Sequence, residues 1–254
     1  MRYATGLKVL VGFLAFGLLI LVAGREWQQA RELLAASLFI GLFLALALLR
    51  QRPRRRAMQA EARRLRLRYS SKDPFDLLDE PFALVRWSRR SYGRVDNVLW
   101  GPWRDLEVRI FDYTYQADSE NQRTFSCVLA AIPGGWPTLV IRPETPLSTI
   151  ADHVAFPDIT FESESFNRAF DVRCEDRGFA NAFVDARMME WLLTIGHRWG
   201  FEVGGRWILG YRDQVQPWEI EGVLETLATF LDKIPRAVSS LYPEALPPRP
   251  DVLG

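Results

Sequence analysis

Hydrophobic residues cluster at the start of the chain and alternate with polar ones later on. Residues 9–24 carry no charge, and eleven of the sixteen are Val, Leu, Ile or Phe. Residues 33–49 repeat that count of eleven, with Ser37 the one conventional polar side chain. Each stretch sits at the short end of the ~17–25 residues that cross a bilayer as a helix, with Lys8 able to snorkel and Trp27 able to lie at the interface. At about −0.3 to −0.6 kcal/mol per large apolar residue, insertion of either stretch gains roughly 3 to 6 kcal/mol. Neither has a polar face to meet water, so two transmembrane helices over 1–49 are predicted in preference to a buried hairpin of a soluble protein. A cleaved signal peptide is disfavoured, because Leu21-Val22-Ala23-Gly24 is a poor cleavage signature and a second span follows at once.

Ser37, Gly41 and Ala45 recur every four residues on the second stretch and form one ridge of small side chains. Such a ridge admits close helix approach, either by the first span or by a second copy of the chain as a homodimer.

Past Lys72 the pattern shortens to aromatic-rich alternating runs broken by Gly and Pro, which predicts strands. Runs over 94–100 and 106–115 flank a predicted Gly101-Pro102-Trp103 turn. In the second run Leu106, Val108 and Ile110 alternate, then Phe111, Tyr113 and Tyr115 take the apolar register, a slip that predicts a bulge. Further strands are predicted at Phe125, Cys127, Leu129 and Ala131 before Pro133-Gly134-Gly135, at 138–142, and at 170–174, where Phe170, Val172 and Cys174 alternate with charged residues. Gly204-Gly205 reads as a two-residue hairpin turn between 201–203 and 206–211. Two helices interrupt the strands. Ala180, Val184, Met188, Trp191 and Ile195 form one stripe that stops at Gly196, with Asp185 a candidate cap dividing it. Ile220, Val223, Leu224, Leu227, Leu231 and Ile234 form the second, after Pro217 and ending or kinking at Pro235. The predicted class is α+β: a mostly antiparallel sheet over 73–242 with two helices packed on one face, and a proline-rich disordered tail over 243–254.

Charge adds orientation. The net charge of +1 hides a segregation: through Lys72 there are 14 basic and 3 acidic residues, and after it 18 and 28. The linker over 50–72 carries about +9, and the positive-inside bias places it, the N-terminus and the C-terminal domain in the cytoplasm of a two-span protein of the cell membrane. Each Lys or Arg near an anionic leaflet contributes roughly 1 kcal/mol, so Arg52, Arg54, Arg55, Arg56, Arg63 and Arg64 are the predicted contacts with lipid head groups, unless they serve topology alone. Met58, Ala62, Leu65 and Tyr69 share one helical side, which fits a short interfacial helix; 65–69 also alternates, which fits a strand entering the domain. Nucleic acid is excluded as a partner by the acidic domain and the lack of aromatic-basic interleaving.

Candidate chemistry is sparse. No phosphate loop, dinucleotide fingerprint, HExxH, CxxC or nucleophile elbow occurs, and no cofactor or metal is predicted. Only two cysteines, Cys127 and Cys174, and two histidines, His153 and His197, are present, and they fall in unrelated contexts. The acidic group Asp158, Glu162, Glu164, Asp171, Glu175 and Asp176 reads as a solvated face rather than a calcium or magnesium site.

The run Phe161-Glu162-Ser163-Glu164-Ser165-Phe166-Asn167-Arg168-Ala169-Phe170-Asp171-Val172 resembles the ESxxFNRxFxV signature of a family of bacterial, often actinobacterial, membrane-anchored proteins with a cytoplasmic domain. Asp73-Pro74-Phe75-Asp76-Leu77-Leu78, Asp112-Tyr113-Thr114-Tyr115 and the run over 185–193 extend the likeness across most of 73–235. The resemblance implies no activity. Glu164, Phe166, Asn167, Arg168 and Phe170 are its signature positions, with either a structural role or a recognition surface as their expected duty. A membrane-tethered, non-catalytic interaction or regulatory module is the leading expectation. Its rivals are a carboxylate- or metal-dependent enzyme centred on 158–176 and an accessory subunit of a membrane transport or secretion complex.

Overall fold

The computed structural model describes residues 37–39, 41, 53–80, 82–86, 93–116, 122–144 and 156–243. The chain divides into two compact units, Met1–Arg56 and Ala57–Gly254. In the first, residues 37–39, 41 and 53–56 are helical. Both predicted spans otherwise lie outside the described residues, as do Ala45, Arg52, His153 and the tail beyond 243. Among the described residues no helix is long and apolar enough to cross a membrane.

The second unit is α+β, built on one six-stranded antiparallel sheet. The helix over 53–64 (α1) contributes its residues from Ala57 onward. Met58 and Ala62 are buried in the domain core, as is Leu67 just before strand β1 (Arg68–Lys72). The stripe expected to lie on a bilayer is therefore occupied by the domain's own interior. The folded unit takes in 57–72, which the charge run had marked as linker, and the strand reading of its far end is the one realised.

β1 pairs with β2 (Arg94–Trp103), β2 with β3 (Leu106–Gln116), and β3 with the first half of β4 (Gln122–Pro143). The second half of β4 takes β5 (Phe170–Cys174) along the edge that β3 leaves open, while β6 (Gly200–Asp213) follows β4 along its other side. Three expected turns are absent from where the sequence puts them. Trp103 pairs with Leu106, so the β2–β3 turn falls at Arg104-Asp105, with Arg104 at φ 54, and Gly101-Pro102 remains in the strand. Pro133-Gly134-Gly135 and Gly204-Gly205 do not end their strands either. They face one another where the β4–β6 register shifts between Ala131 and Leu139. A proline without an N–H and adjacent glycines interrupt a ladder locally, and the alternating residues beyond restore it, giving a bulge rather than a hairpin.

The predicted slip in β3 has a different cause. The β3–β4 register runs unbroken from Val108 to Gln116, and the bulge sits in β2 between Asp96 and Leu99, where Asn97 has φ 54. β3 is apolar in both registers because both faces of the sheet are covered. Val108, Ile110, Val128, Ala130, Leu139 and Ile141 belong to a core shared with the helices. Phe111, Tyr113, Tyr115, Cys127, Leu129 and Leu209 belong to a second core, roofed by Leu77, Phe82 and Leu84. That roof comprises a 3₁₀ turn (Leu77–Asp79) and a four-residue helix α2 (Ala83–Arg86). Helices therefore sit on both faces, not one.

On the larger core lie α3 (Glu164–Ala169), α4 (Arg177–Phe183), α5 (Ala186–Ile195), α6 (Ile220–Lys233) and α7 (Arg236–Leu241). Asp185 does divide the first predicted stripe, since its side chain accepts the Met188 N–H at 2.8 Å and caps α5, while Gly196 at φ 73 ends it. α6 buries Ile220, Val223, Leu224, Leu227 and Phe230 along one side. The Phe230 ring lies 4.0 Å from that of Phe201 on β6, nearly parallel. Each such buried side chain contributes roughly 1.5–3 kcal/mol, which fixes α6 on the sheet.

Candidate functional site: a charged cluster beneath the sheet roof

Residues opposite one another in an antiparallel ladder share a face, as do residues two apart. Val140 on β4 faces both Glu202 on β6 and Arg173 on β5, and Arg142 faces Asp171. Four charged side chains, Glu202, Arg142, Asp171 and Arg173, thus converge on the roofed face. Arg142 is 4% exposed; its Nε donates to Asp171 Oδ2 at 2.7 Å, and a second guanidinium nitrogen donates to the same oxygen. Arg173 Nε reaches that oxygen at 3.2 Å. One terminal nitrogen of Arg142 is buried without an acceptor. A buried ion pair gains Coulomb energy but gives up hydration, so this arrangement serves geometry more than stability.

Glu202 is 1% exposed. One carboxyl oxygen accepts the Ala83 N–H at 2.5 Å and the other the Leu84 N–H at 2.9 Å, tying β6 to the first turn of α2. Burial pushes this carboxyl up to about 7, against the opposing pull of those two N–H groups and of Arg142. Next to it, burial raises the Cys127 thiol well above its usual value, with Asp112 and Glu202 adding to the effect. Tyr211 is raised by burial first, with Glu202 adding to it and Arg142 opposing. Its ring lies so close to Gly200 that a Cβ there would come within 2.2 Å of it. Desolvation thus holds the Glu202 carboxyl well above the ordinary glutamate range.

A second polar chain runs through the helix-side core. Tyr69 donates to Asn97 at 3.0 Å, Asn97 donates to Asp112 at 2.8 Å, and Ser126 accepts the Val215 N–H at 3.1 Å while facing Asp112 at 3.4 Å. These bonds satisfy the β2 bulge and explain its positive φ at Asn97.

The signature positions fall in the α3–β5 turn. Ser163 caps α3 by accepting the Phe166 N–H, and Asn167 holds the backbone of Phe161 with both ends of its amide. Phe166 and Phe170 are buried and stacked at 5.3 Å, with Phe161 edge-on to Phe166 and His197 over Phe170. Glu164 and Arg168 are exposed, and the Arg168 side chain reaches the Glu164 carbonyl of its own helix. The acidic group does not converge. Asp171 faces arginines, Asp176 caps α4 by accepting the Phe179 N–H, Asp158 sits opposite Arg173, and Glu162, Glu164 and Glu175 point to solvent. Among the described residues no group of three His, Cys, Asp or Glu could hold a metal.

Of the basic residues, Arg55, Arg56 and Arg63 are exposed and Arg54 is half-buried. Arg64 bridges Glu61 at 2.6 Å and Glu221 of α6 at 2.8 Å, which places it in a link between α1 and α6. His197 Nδ1 lies 3.2 Å from the Ala169 carbonyl, at the end of α3. Glu202 and Arg142 escape sequence reasoning because alternation assigns them to a solvent face. The signal that betrays them is β3, whose two apolar registers require a second covered face.

No protein-family model matches the chain, and no curated protein does. Among solved structures, a mycobacterial trehalose monomycolate transport factor A, TtfA, is similar over 71% of this chain and 96% of its own, at 14% identity and a TM-score of 0.47.

Proposed function

We propose that this chain is a membrane-tethered, non-catalytic module that presents an α+β domain at the cytoplasmic face of the cell membrane to a protein or lipid head group. The observation that carries this reading is the succession of two uncharged apolar stretches, 9–24 and 33–49, and a run of ten basic and one acidic residue over 50–72. Apolar stretches of that length partition into hydrocarbon, and the arginines that follow resist translocation. In the sequence only Arg50-Gln51-Arg52 stand between the second stretch and residue 53. A domain so placed works where its partner meets the membrane. Exposed Arg55, Arg56 and Arg63 suit an anionic surface.

Topology is the test. In cells expressing the full chain with a C-terminal tag, protease added outside leaves the tag intact and removes it only after the membrane is permeabilised. Digestion of the tag in intact cells overturns the orientation.

A further inference from the structure

Trp207 on β6 gathers two arginines. The Arg109 guanidinium, which comes from β3, lies 4.4 Å from the centre of the indole and 4.1 Å from that of the Phe75 ring. The Arg206 guanidinium lies 5.6 Å from the same indole. We propose that Arg109 and Arg206 form a binding site for the carboxylate of a small organic acid, whose apolar remainder lies along the rings of Phe75 and Trp100.

Three observations carry the site. The first is that both arginines are held by aromatic contact alone: no hydrogen bond or ion pair joins either of them to another described residue. Contact with rings fixes a guanidinium but takes up none of its N–H donors, and its planar fork matches the two oxygens of a carboxylate. The second is that the two charges act on one another. Arg109 is half-buried, and burial first and Arg206 after it disfavour its positive charge. Like charges drawn to one ring repel, and an anion bound to both relieves that repulsion.

The third observation sets the ligand's charge and shape. Glu80, Glu107 and Asp73 favour the Arg109 charge through space without bonding to it, and the Asp73 carboxylate is engaged by the N–H groups of Phe75 and Leu77 at 2.9 and 2.7 Å. Their repulsion of a ligand grows in proportion to its charge, so a carboxylate with one charge is accepted more readily than a phosphate with two. Phe75 and Trp100 are half-buried, with their rings edge to face at 5.3 Å, and offer an apolar wall beside the fork.

The probes are para-fluorobenzoate and its neutral counterpart para-fluorobenzamide, each added to the full chain in detergent and followed by fluorine NMR line width. The site predicts broadening of the carboxylate well beyond that of the amide, reversed by hexanoate at lower concentration than by inorganic phosphate. Equal broadening of the two probes, or displacement by phosphate at lower concentration than by hexanoate, overturns it. Arg206→Gln removes one charge at an exposed position, and Arg109→Lys keeps a charge but loses the fork. Binding of the carboxylate is expected to weaken in both, roughly tenfold or more for Arg109→Lys. Undiminished broadening in Arg206→Gln, which would assign the binding to the basic run over 50–72, overturns the site even where Arg109→Lys fails to fold.

Discussion

The Asn167 side chain holds both backbone groups of Phe161: its oxygen accepts the Phe161 N–H at 3.0 Å and its amide donates to the Phe161 carbonyl at 2.7 Å. The pair closes the approach to α3 and sets the Phe161 ring against Phe166 at 5.5 Å, joining a sequence motif to core packing.

Loss of that clamp has a defined cost. Asn167→Ala removes two half-buried hydrogen bonds at about 0.5–1.5 kcal/mol each, for a destabilisation of roughly 1–3 kcal/mol. Asn167→Asp keeps the acceptor but loses the donor and falls between. Arg168→Ala, on the exposed side of the same helix, stays within about 0.5 kcal/mol of wild type. Thermal melts of the three variants of the full chain check the order.

At Asp185 the cap separates α4 from α5. Asp185→Ala is expected to cost about 1 kcal/mol, and Asp185→Asn, which retains a capping oxygen, less. Denaturant midpoints at unchanged slope provide the measurement.

Gly200 has no room for a methyl group beside the Tyr211 ring. Gly200→Ala is expected to destabilise by roughly 1–3 kcal/mol. Combining it with Tyr211→Ala removes the clash, so the double variant is less impaired than the sum of the two singles. Additive losses would show that the ring and the glycine are not in contact.

Glu202 also sets a pH dependence for the whole fold. Its folded value of about 7 lies above the unfolded carboxylate value, so between the two the folded state holds the extra proton and stability falls as pH rises. The contribution is greatest below the unfolded value, declines through the interval and levels off above about 7, a total on the order of 3 kcal/mol. Glu202→Gln should flatten the difference between stabilities measured at pH 5 and pH 8. An unchanged pH difference in the variant would assign the effect to other groups.

How much of this was legible in the sequence depends on the face of the sheet. β5, α5 and α6 follow from alternation, the Asp185 cap and helical spacing, because each shows one apolar side and one polar side. The stripe predicted for α6 omits Phe230, whose ring packs on that of Phe201 at 4.0 Å. The roofed face was hidden, since Glu202 and Arg142 lie in alternating strands where period-two reasoning sends them to water. Gly204-Gly205 and Pro133-Gly134-Gly135 misled in the same way, for turn residues mark a hairpin or a bulge equally well until the pairing partner is known. Met58 and Ala62 showed the right helical side but the wrong neighbour, a protein core in place of lipid.

Membrane insertion of the two apolar stretches underlies the proposed function. Membranes from cells producing the full chain, washed in high salt and then in alkaline carbonate, should keep it in the pellet and release it only with detergent. Recovery of the chain in the carbonate supernatant, or its solubility without detergent, would contradict a tether made of inserted helices.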